Sequence, residues 1–495
     1  MQHPGQFAIL KKALSLPGYR TLPLSGGWVL SRHEKLELFA LPEHEIFLLG
    51  IAWQTLPGKP APEQELKALA ERSGGPVTDE ALMALEESWC GRYVLICRGR
   101  IFTDTCALLP VFHSPAGISS DLTLLAEVSG LSAKLYEPGK VMNWMPGPLT
   151  PYPGIRRVMP SQIYCMESGE TRSRPLLALS RPPVSDDEER IRVFTEIFTN
   201  SLHNMRERLS GRRMLLALTG GYDSRSLFAL AKHAGLDFEA YTLEYDGIFT
   251  DDVELPKELC RRTNTPHRYV HRDHSRYSAA LEAEYLNHTA GLIRDEDRLS
   301  YAHGQYQELT AADGDTVLLR SSVWENVIEY YGHSFETDGP GVGFYDWFCV
   351  RPDSPEQRSL EEYFAWHRAH PQPELVASNI FLWEQREGCW LSAIESGFDL
   401  LPNAVTIQPA NCRLLVSMLL EFPAEERKTK FHQARIIRYA CPAIGDVPFG
   451  KDRKPDETAL TILQHKLRRL GYRLETRGVR RTLGLYLRML GKKHH

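Results

Sequence analysis

LLALTGGYDSRSLFALAK, residues 215–232, breaks an apolar run with two glycines, sets an Asp-Ser pair just beyond them, and resumes with apolar residues at helical spacing. A strand that runs through Thr219, Gly220 and Gly221 into a helix beginning near Asp223 exposes several backbone N–H groups at the helix N-terminus. Together with the helix dipole they form an anion site, and glycine lets a phosphate approach the main chain closely. The hydroxyls of Thr219 and Ser224 add donors. Asp223 is the odd member, because a carboxylate beside phosphates is repulsive unless a divalent cation lies between them. The pattern predicts a pyrophosphate held by backbone amides, with Asp223 as a Mg²⁺ ligand. It is not a Walker A loop, for it lacks G-K-[ST] and has the wrong spacing.

Outward from this turn the chain alternates. SLFALAKHAG reads as a helix ending at Gly235, FEAYTLEY as a second strand, ELPKELCRRTN as a second helix and HRYVHR as a third strand. DTVLLRSSVWENV supplies a further strand, Thr316 to Leu319, that again ends in a polar turn. Strand-helix-strand-helix-strand implies a parallel α/β sheet with right-handed crossovers. Residues 375–440 read as mainly helical. Upstream, FALPEHEIFLLGIAW, GRYVLICRGRIFTDT and ALLPVFHS are β-like runs cut by Gly, Pro and Asp, with a helix-like EQELKALAERS among them. They imply an antiparallel α+β sandwich over roughly the first 170 residues. LALSRPPVSDDEERI reads as the linker, and Asp187 with its neighbours as the cap of the helix that follows.

The bulk numbers exclude several classes. With 495 residues the chain has room for more than one domain. Its 42% hydrophobic and 24% charged content are those of an ordinary globular protein, and a net charge of −5 gives no overall preference for nucleic acid. Nine cysteines without a C-x-x-C pair or zinc spacing read as reduced core thiols. Neither a signal peptide nor a run of ~18 apolar residues is present, so the expected location is the cytoplasm. The end of the chain, HKLRRLGYRLETRGVRRTLGLYLRMLGKKHH, is basic and amphipathic, which implies peripheral contact with an anionic membrane.

TGGYDSR is similar to the S-G-G-x-D-S pyrophosphate loop of the asparagine synthetase family, within the larger group of ATP pyrophosphatases. SGGWVL, GRYVLICRGRIFTDTCALLPVFHS, ISSDLTLL and GIRRVMPSQ resemble segments of that family's N-terminal glutaminase domain, and YTLEYDG the second strand of its synthetase domain. The resemblance implies an α/β protein in three parts. Residues 1–175 form an Ntn-hydrolase-like sandwich, 190–455 a parallel-sheet, adenine-nucleotide α-hydrolase-like synthetase domain, and 456–495 the basic tail. It also implies ATP and Mg²⁺ as cofactors, adenine held on backbone near Leu218 and Leu243, and phosphates held by Thr219, Gly220, Gly221, Asp223 and Ser224.

Two departures qualify the resemblance. The family's glutaminase works through an N-terminal cysteine; here Gln2 and His3 stand at that end and the nearest cysteine is Cys90. Glutamine hydrolysis is therefore not expected, as in the relatives that keep this domain as a scaffold, such as β-lactam synthetases and lasso-peptide cyclases. The family's second motif, L-S-G-E-G-S-D-E, corresponds to Leu319 through Asn326 with its glycines gone. Glu325 falls at the metal-binding Asp, and Arg320 and Ser321 fall at nucleotide contacts. Lys428, Lys430, Lys451 and Lys454 are candidates for the lysine that the family sets against developing negative charge; VPFGKDRK favours Lys451, narrowly over Lys454.

REGCW and PANCRLLVSMLLEFPAEER look like the C-terminal helices of members encoded with surface-polysaccharide genes. The reading implied is an AMP-forming carbon-nitrogen ligase that joins an amine donor to a small-molecule, sugar-acid or peptide carboxylate, with a homodimer compatible. A macrolactam-forming cyclase, a β-lactam synthetase and a nucleotide-binding pseudoenzyme are the alternatives.

Overall fold

The structure, a computed structural model, describes residues 3–450 apart from 73–74, 179–182, 245–249, 272–278, 295, 312–314, 329–330, 332–334, 337–338, 342 and 373–374. Gln2, Lys451, Lys454 and the basic tail 456–495 lie outside the described residues. No helix among the described residues is long and apolar enough to cross a membrane.

Apolar residues on both faces of Ile46–Gln54 dictate the N-terminal layering. Phe47 and Leu49 point one way, into a core shared with Phe7, Ile9, Leu30 and Ile118. Ile46 and Leu48 point the other way, against Leu66, Ala70 and Leu82 of the helices Pro62–Arg72 and Asp79–Glu86. A strand buried on both sides must carry apolar residues at odd and even positions alike. Two six-stranded antiparallel sheets result. One runs, in spatial order, Arg156–Arg157, Phe112–Ser114, Gly117–Ser119, Phe7–Leu10, Val29–His33 and Tyr19–Pro23. The other runs Glu170–Ser173, Gln162–Cys165, Arg100–Thr103, Trp89–Cys97, Ile46–Gln54 and Leu38–Leu41.

The parallel sheet read from the sequence is present, with five strands. Their spatial order is His267–Val270, Glu239–Leu243, Arg213–Ala217, Thr316–Leu319 and Ala404–Ile407, all parallel. Met214, Leu215, Leu216, Val317, Leu318 and Leu319 are buried, as expected of strands covered on both faces. Residues 375–440 are mainly helical, as the sequence implies, and the fifth strand lies among them: Ala-Val-Thr-Ile is four residues long, too short to show a period of two. The long helix Asp187–Arg208 is capped by Asp186, whose Oδ1 accepts from Glu189 N at 2.8 Å, one residue earlier than Asp187.

Chain order along the sheet is third, second, first, fourth, fifth. The chain leaves the first strand toward one side and later returns on the other, so the strand order reverses between Arg213–Ala217 and Thr316–Leu319, at whose carboxyl ends the loops after Ala217 and Leu319 begin. That is where open α/β sheets hold ligands. The two halves of the protein are stapled to each other. Arg92 grips Asp399 through Nη1 at 2.5 Å and Nη2 at 2.7 Å, and Asn411 donates to Gly91 O at 2.6 Å and Asp104 Oδ1 at 2.9 Å.

Candidate functional site at the sheet switch point

Thr219-Gly220-Gly221 follows the central strand directly and feeds the helix Tyr222–His233. Gly221 is the N-cap, and it brings no side chain to the first turn. Ser224 Oγ accepts from Thr219 N at 3.1 Å and lies 3.0 Å from Thr219 Oγ1, which holds the turn closed. Gly220 N donates to Asp252 Oδ1 at 3.0 Å. Asp252 lies in the first turn of the helix Thr250–Arg262.

Gly220 is required for space rather than for φ. A Cβ there would stand 2.9 Å from Asp251 O and 3.1 Å from Leu255 Cδ1. Gly220→Ala is expected to cost about 1–3 kcal/mol through forced backbone movement. It should also weaken any nucleotide bound at the turn, which urea denaturation and a binding titration would read separately.

Asp223 is already engaged. Lys430 Nζ stands 2.9 Å from both of its carboxylate oxygens, and Gln433 Nε2 donates to Oδ1 at 2.9 Å. Lys430 reaches it from a left-handed backbone conformation, φ 60°, at the joint between the helices Ala424–Thr429 and Phe431–Ala440. Lys428, two residues earlier, is exposed and pairs with Glu425 at 3.8 Å. The VPFGKDRK loop also closes on the turn. Gly450 N donates to Gly220 O at 3.1 Å, Arg225 donates to Val447 O and Pro448 O, and Phe449 stacks on Tyr222 with ring centroids 3.7 Å apart.

The second motif is placed differently. Arg320 Nη1 binds the buried Glu395 at 2.5 Å, and the guanidinium lies 4.5 Å from the centroid of the Phe398 ring. Arg320 is thus held inside the fold by a carboxylate, and the nearby Glu395 raises its pKa against the lowering effect of burial. Ser321 caps the short 3-10 turn Ser322–Val327 without a side-chain hydrogen bond. Glu325, on that turn, pairs with Arg386 Nε at 3.3 Å, and Arg386 lies over the Trp390 ring. Both main-chain polar groups of Leu218 are used within the sheet, N–H to Tyr241 O and C=O from Thr242 Oγ1. Leu243 ends its own strand and is half-buried.

Glu387 was not singled out from the sequence. It lies in the π-helix Leu382–Leu391, a register that recurs at functional sites, and is buried with no hydrogen bond to either carboxylate oxygen. Burial first, then the charge of Glu325, push its pKa well above the ordinary carboxyl range. The folded protein therefore holds a proton there that the unfolded chain has released. Between the two pKa values stability falls as pH rises, by about 1.4 kcal/mol per pH unit for this one proton. Glu387→Gln should flatten that slope, as denaturant melts across pH 5–8 would show.

A bound Mg²⁺ is compatible with this arrangement. Among the described residues no three His, Cys, Asp or Glu side chains converge as a ready-made metal cage. Mg²⁺ in phosphate sites usually takes one or two carboxylates plus phosphate oxygens and waters. Asp223 and Glu325 supply that number, each balanced here by a cation.

The N-terminal sandwich offers no nucleophile of the thiol type. All nine cysteines are buried; Cys90 lies 3.3 Å from Pro409 O, and burial pushes its pKa well up. His3 is buried against Asp121, Nδ1 to Oδ2 at 2.7 Å.

No protein-family model matches the sequence, and no curated protein matches it. Among solved structures, parts of the chain are similar to a glutamine-dependent NAD+ synthetase from Acinetobacter baumannii in complex with ADP, at 15% identity and a TM-score of 0.22, over 32% of this chain and 30% of that one. An NMN synthetase from Francisella tularensis matches at 14% identity and a TM-score of 0.20, over 50% of this chain and 97% of that one. An NAD+ synthetase from Burkholderia pseudomallei matches at 14% and 0.20, over 37% and 93%. Likeness at this level bears on neither substrate nor activity.

Proposed function

We propose that the chain is an ATP-dependent, AMP-forming amide synthetase of the asparagine synthetase type. The observation that carries this reading is the Asp223–Lys430 pair set on a glycine turn at the carboxyl end of the central strand. The ATP phosphates would lie on the Thr219–Ser224 turn. Asp223 and Glu325 would hold Mg²⁺, which supplies charge neutralisation for the phosphates. A substrate carboxylate oxygen attacks the α-phosphorus; the bond to the β-phosphate oxygen breaks, pyrophosphate leaves and an acyl-adenylate remains. An amine then attacks the acyl carbon, AMP departs and the amine's proton goes to solvent. Lys430, paired with Asp223, would share its charge with the phosphates as negative charge develops, with Lys451 and Lys454 as further candidates.

Residues 1–175 are read as an Ntn-hydrolase-like sandwich retained as a scaffold, which the buried cysteines support. The amine then comes from solution or from a second substrate, and the carboxylate from a sugar acid or another surface-glycan precursor in the cytoplasm, with the tail 456–495 resting on the membrane. A cyclase or β-lactam synthetase would use the same residues. One observation favours a nucleotide-binding scaffold instead: Arg320 is tied to Glu395 rather than presented to a phosphate.

Thermal unfolding with AMP, ATP and Mg·ATP tests the nucleotide site on which these readings rest, because a ligand at about 100 times its Kd stabilises the folded state by about 2.7 kcal/mol; pyrophosphate release then separates a synthetase from a scaffold. The synthetase reading expects a Mg²⁺-dependent rise in Tm that is lost in Asp223→Ala. No rise at millimolar ATP would sink it.

A further inference from the structure

Arg386 has one edge committed and one edge open. Its Nε lies 3.3 Å from Glu325 Oε2, and its guanidinium carbon lies 3.3 Å from the centroid of the Trp390 ring. A carboxylate at one edge and an indole against the face hold the group in place. Nη1 and Nη2 make no hydrogen bond among the described residues, and neither is sealed from water, with 22% of the side chain exposed. Such a side chain has given up most of its rotamer freedom before any ligand arrives, and it keeps two parallel N–H donors for a pair of oxygens.

The surroundings indicate which oxygens. Glu325 belongs to the turn Ser322–Val327, which packs against both the π-helix of Arg386 and the helix Tyr222–His233 that starts at the glycine turn. The charges of Glu325, Arg386 and Asp223 all bear on the buried Glu387, so the two turns and the π-helix meet around it. The second turn itself has little to offer an anion. Ser322 N donates to Gln408 Oε1 at 2.9 Å, Trp324 N to Ser321 O at 3.3 Å, and Arg320 to Glu395. Phosphates that extend from the glycine turn toward Glu325 would meet a carboxylate there, which repels them unless a cation offsets it. Arg386 is the cation bonded to that carboxylate.

We propose that Arg386 is a phosphate-binding residue, whose open edge takes two oxygens at the pyrophosphate end of the nucleotide. Arg320, held by Glu395, is not free for that task. The inference rests on the nucleotide reading above and adds to it a residue of the π-helix.

The test is calorimetry with inorganic pyrophosphate, Mg·ATP and AMP on the full chain, on Arg386→Gln and on Arg386→Lys. Pyrophosphate and ATP should bind Arg386→Gln at least about tenfold more weakly, and AMP within about twofold of the parent. Arg386→Lys should recover only part of the loss, because an ammonium keeps the charge but not the two-donor edge. Equal binding of pyrophosphate and ATP by Arg386→Gln overturns the proposal and leaves the nucleotide reading standing. A parent chain that binds neither ligand overturns both. AMP weakened as much as pyrophosphate would mean that Arg386 acts through the fold, and overturns the proposal equally. The Tm of ligand-free Arg386→Gln checks the same point: it should stay near the parent's, since an ion pair whose carboxylate side chain is 35% exposed contributes little to stability.

Discussion

Lys430→Met should slow pyrophosphate release by about 10²–10³-fold, the usual cost of removing one preorganised charge from a transition state. The argument is geometric. Lys430 Nζ reaches both oxygens of Asp223 at 2.9 Å, and its ammonium is largely buried, with 11% of the side chain exposed. In the folded protein it cancels the one carboxylate on the glycine turn. When phosphates arrive, the same ammonium is placed to share its charge with them; without it, Asp223 and the phosphates repel each other. Lys430→Arg should recover little, since a broad planar guanidinium can fork onto Asp223 but does not present the compact point charge that an ammonium shares with incoming phosphates. The double variant with Asp223→Asn should lose less than the sum of the single losses, because the two side chains act on each other. Pyrophosphate release measured under single-turnover conditions checks all three. Activity within about threefold of the parent would move the role to Lys451 or Lys454.

Lys430 shows why the turn was legible in the sequence and its partners were not. Gly-Gly-x-Asp-Ser between an apolar run and a helical pattern is local information: five consecutive residues set the turn, the anion-binding amides and the acidic group. The residue that meets Asp223 lies 207 positions away and reaches it through a left-handed joint between two helices, which neither composition nor period reveals. The preference for VPFGKDRK came from its Pro and Gly. That loop does close on Gly220, through Gly450, while Lys451 falls beyond the described residues. Glu387 and Arg386 sit in a π-helix, whose side-chain spacing differs from the α-helical one used to read 375–440. The resemblance sets Arg320 at a nucleotide contact, and it follows the strand Thr316–Leu319 directly. Its partner Glu395 is on another segment, and it takes the charge that the sequence offered to a phosphate. The sandwich was legible as antiparallel strands because its apolar runs are punctuated by Gly, Pro and Asp. Its layering became visible only where Phe47 and Leu48 were seen to face different cores.

Glu86→Gln should destabilise the protein by about 3–5 kcal/mol, the range for stripping a buried ion pair of one partner. Glu86 is 1% exposed at the end of the helix Asp79–Glu86, and it faces two fully buried guanidinium groups. Arg174 donates to it from the sandwich side, and Tyr93 Oη donates to its Oε2 at 3.1 Å. Arg413 Nε stands 3.4 Å away, at the start of the helix Arg413–Leu420, while its other nitrogens donate to Pro160 O, Pro175 O and Leu176 O. Burial, then the neighbouring Arg174, push the Arg413 pKa down to about 10, so two cations already strain against one anion. Glutamine keeps the shape and removes the only charge between them. Because Arg413 belongs to the half that carries the parallel sheet and Arg174 to the sandwich, the loss should be felt by both. Guanidinium melts followed by far-UV circular dichroism and by tryptophan fluorescence should shift together to lower denaturant. Replacing Arg413 by Met in the same chain should restore part of the loss, since an apolar group of similar length needs no counter-charge there. A shift confined to one probe, or a loss below about 1 kcal/mol, would mean that the three side chains are not coupled and that the halves are joined mainly by the Arg92–Asp399 and Asn411 contacts.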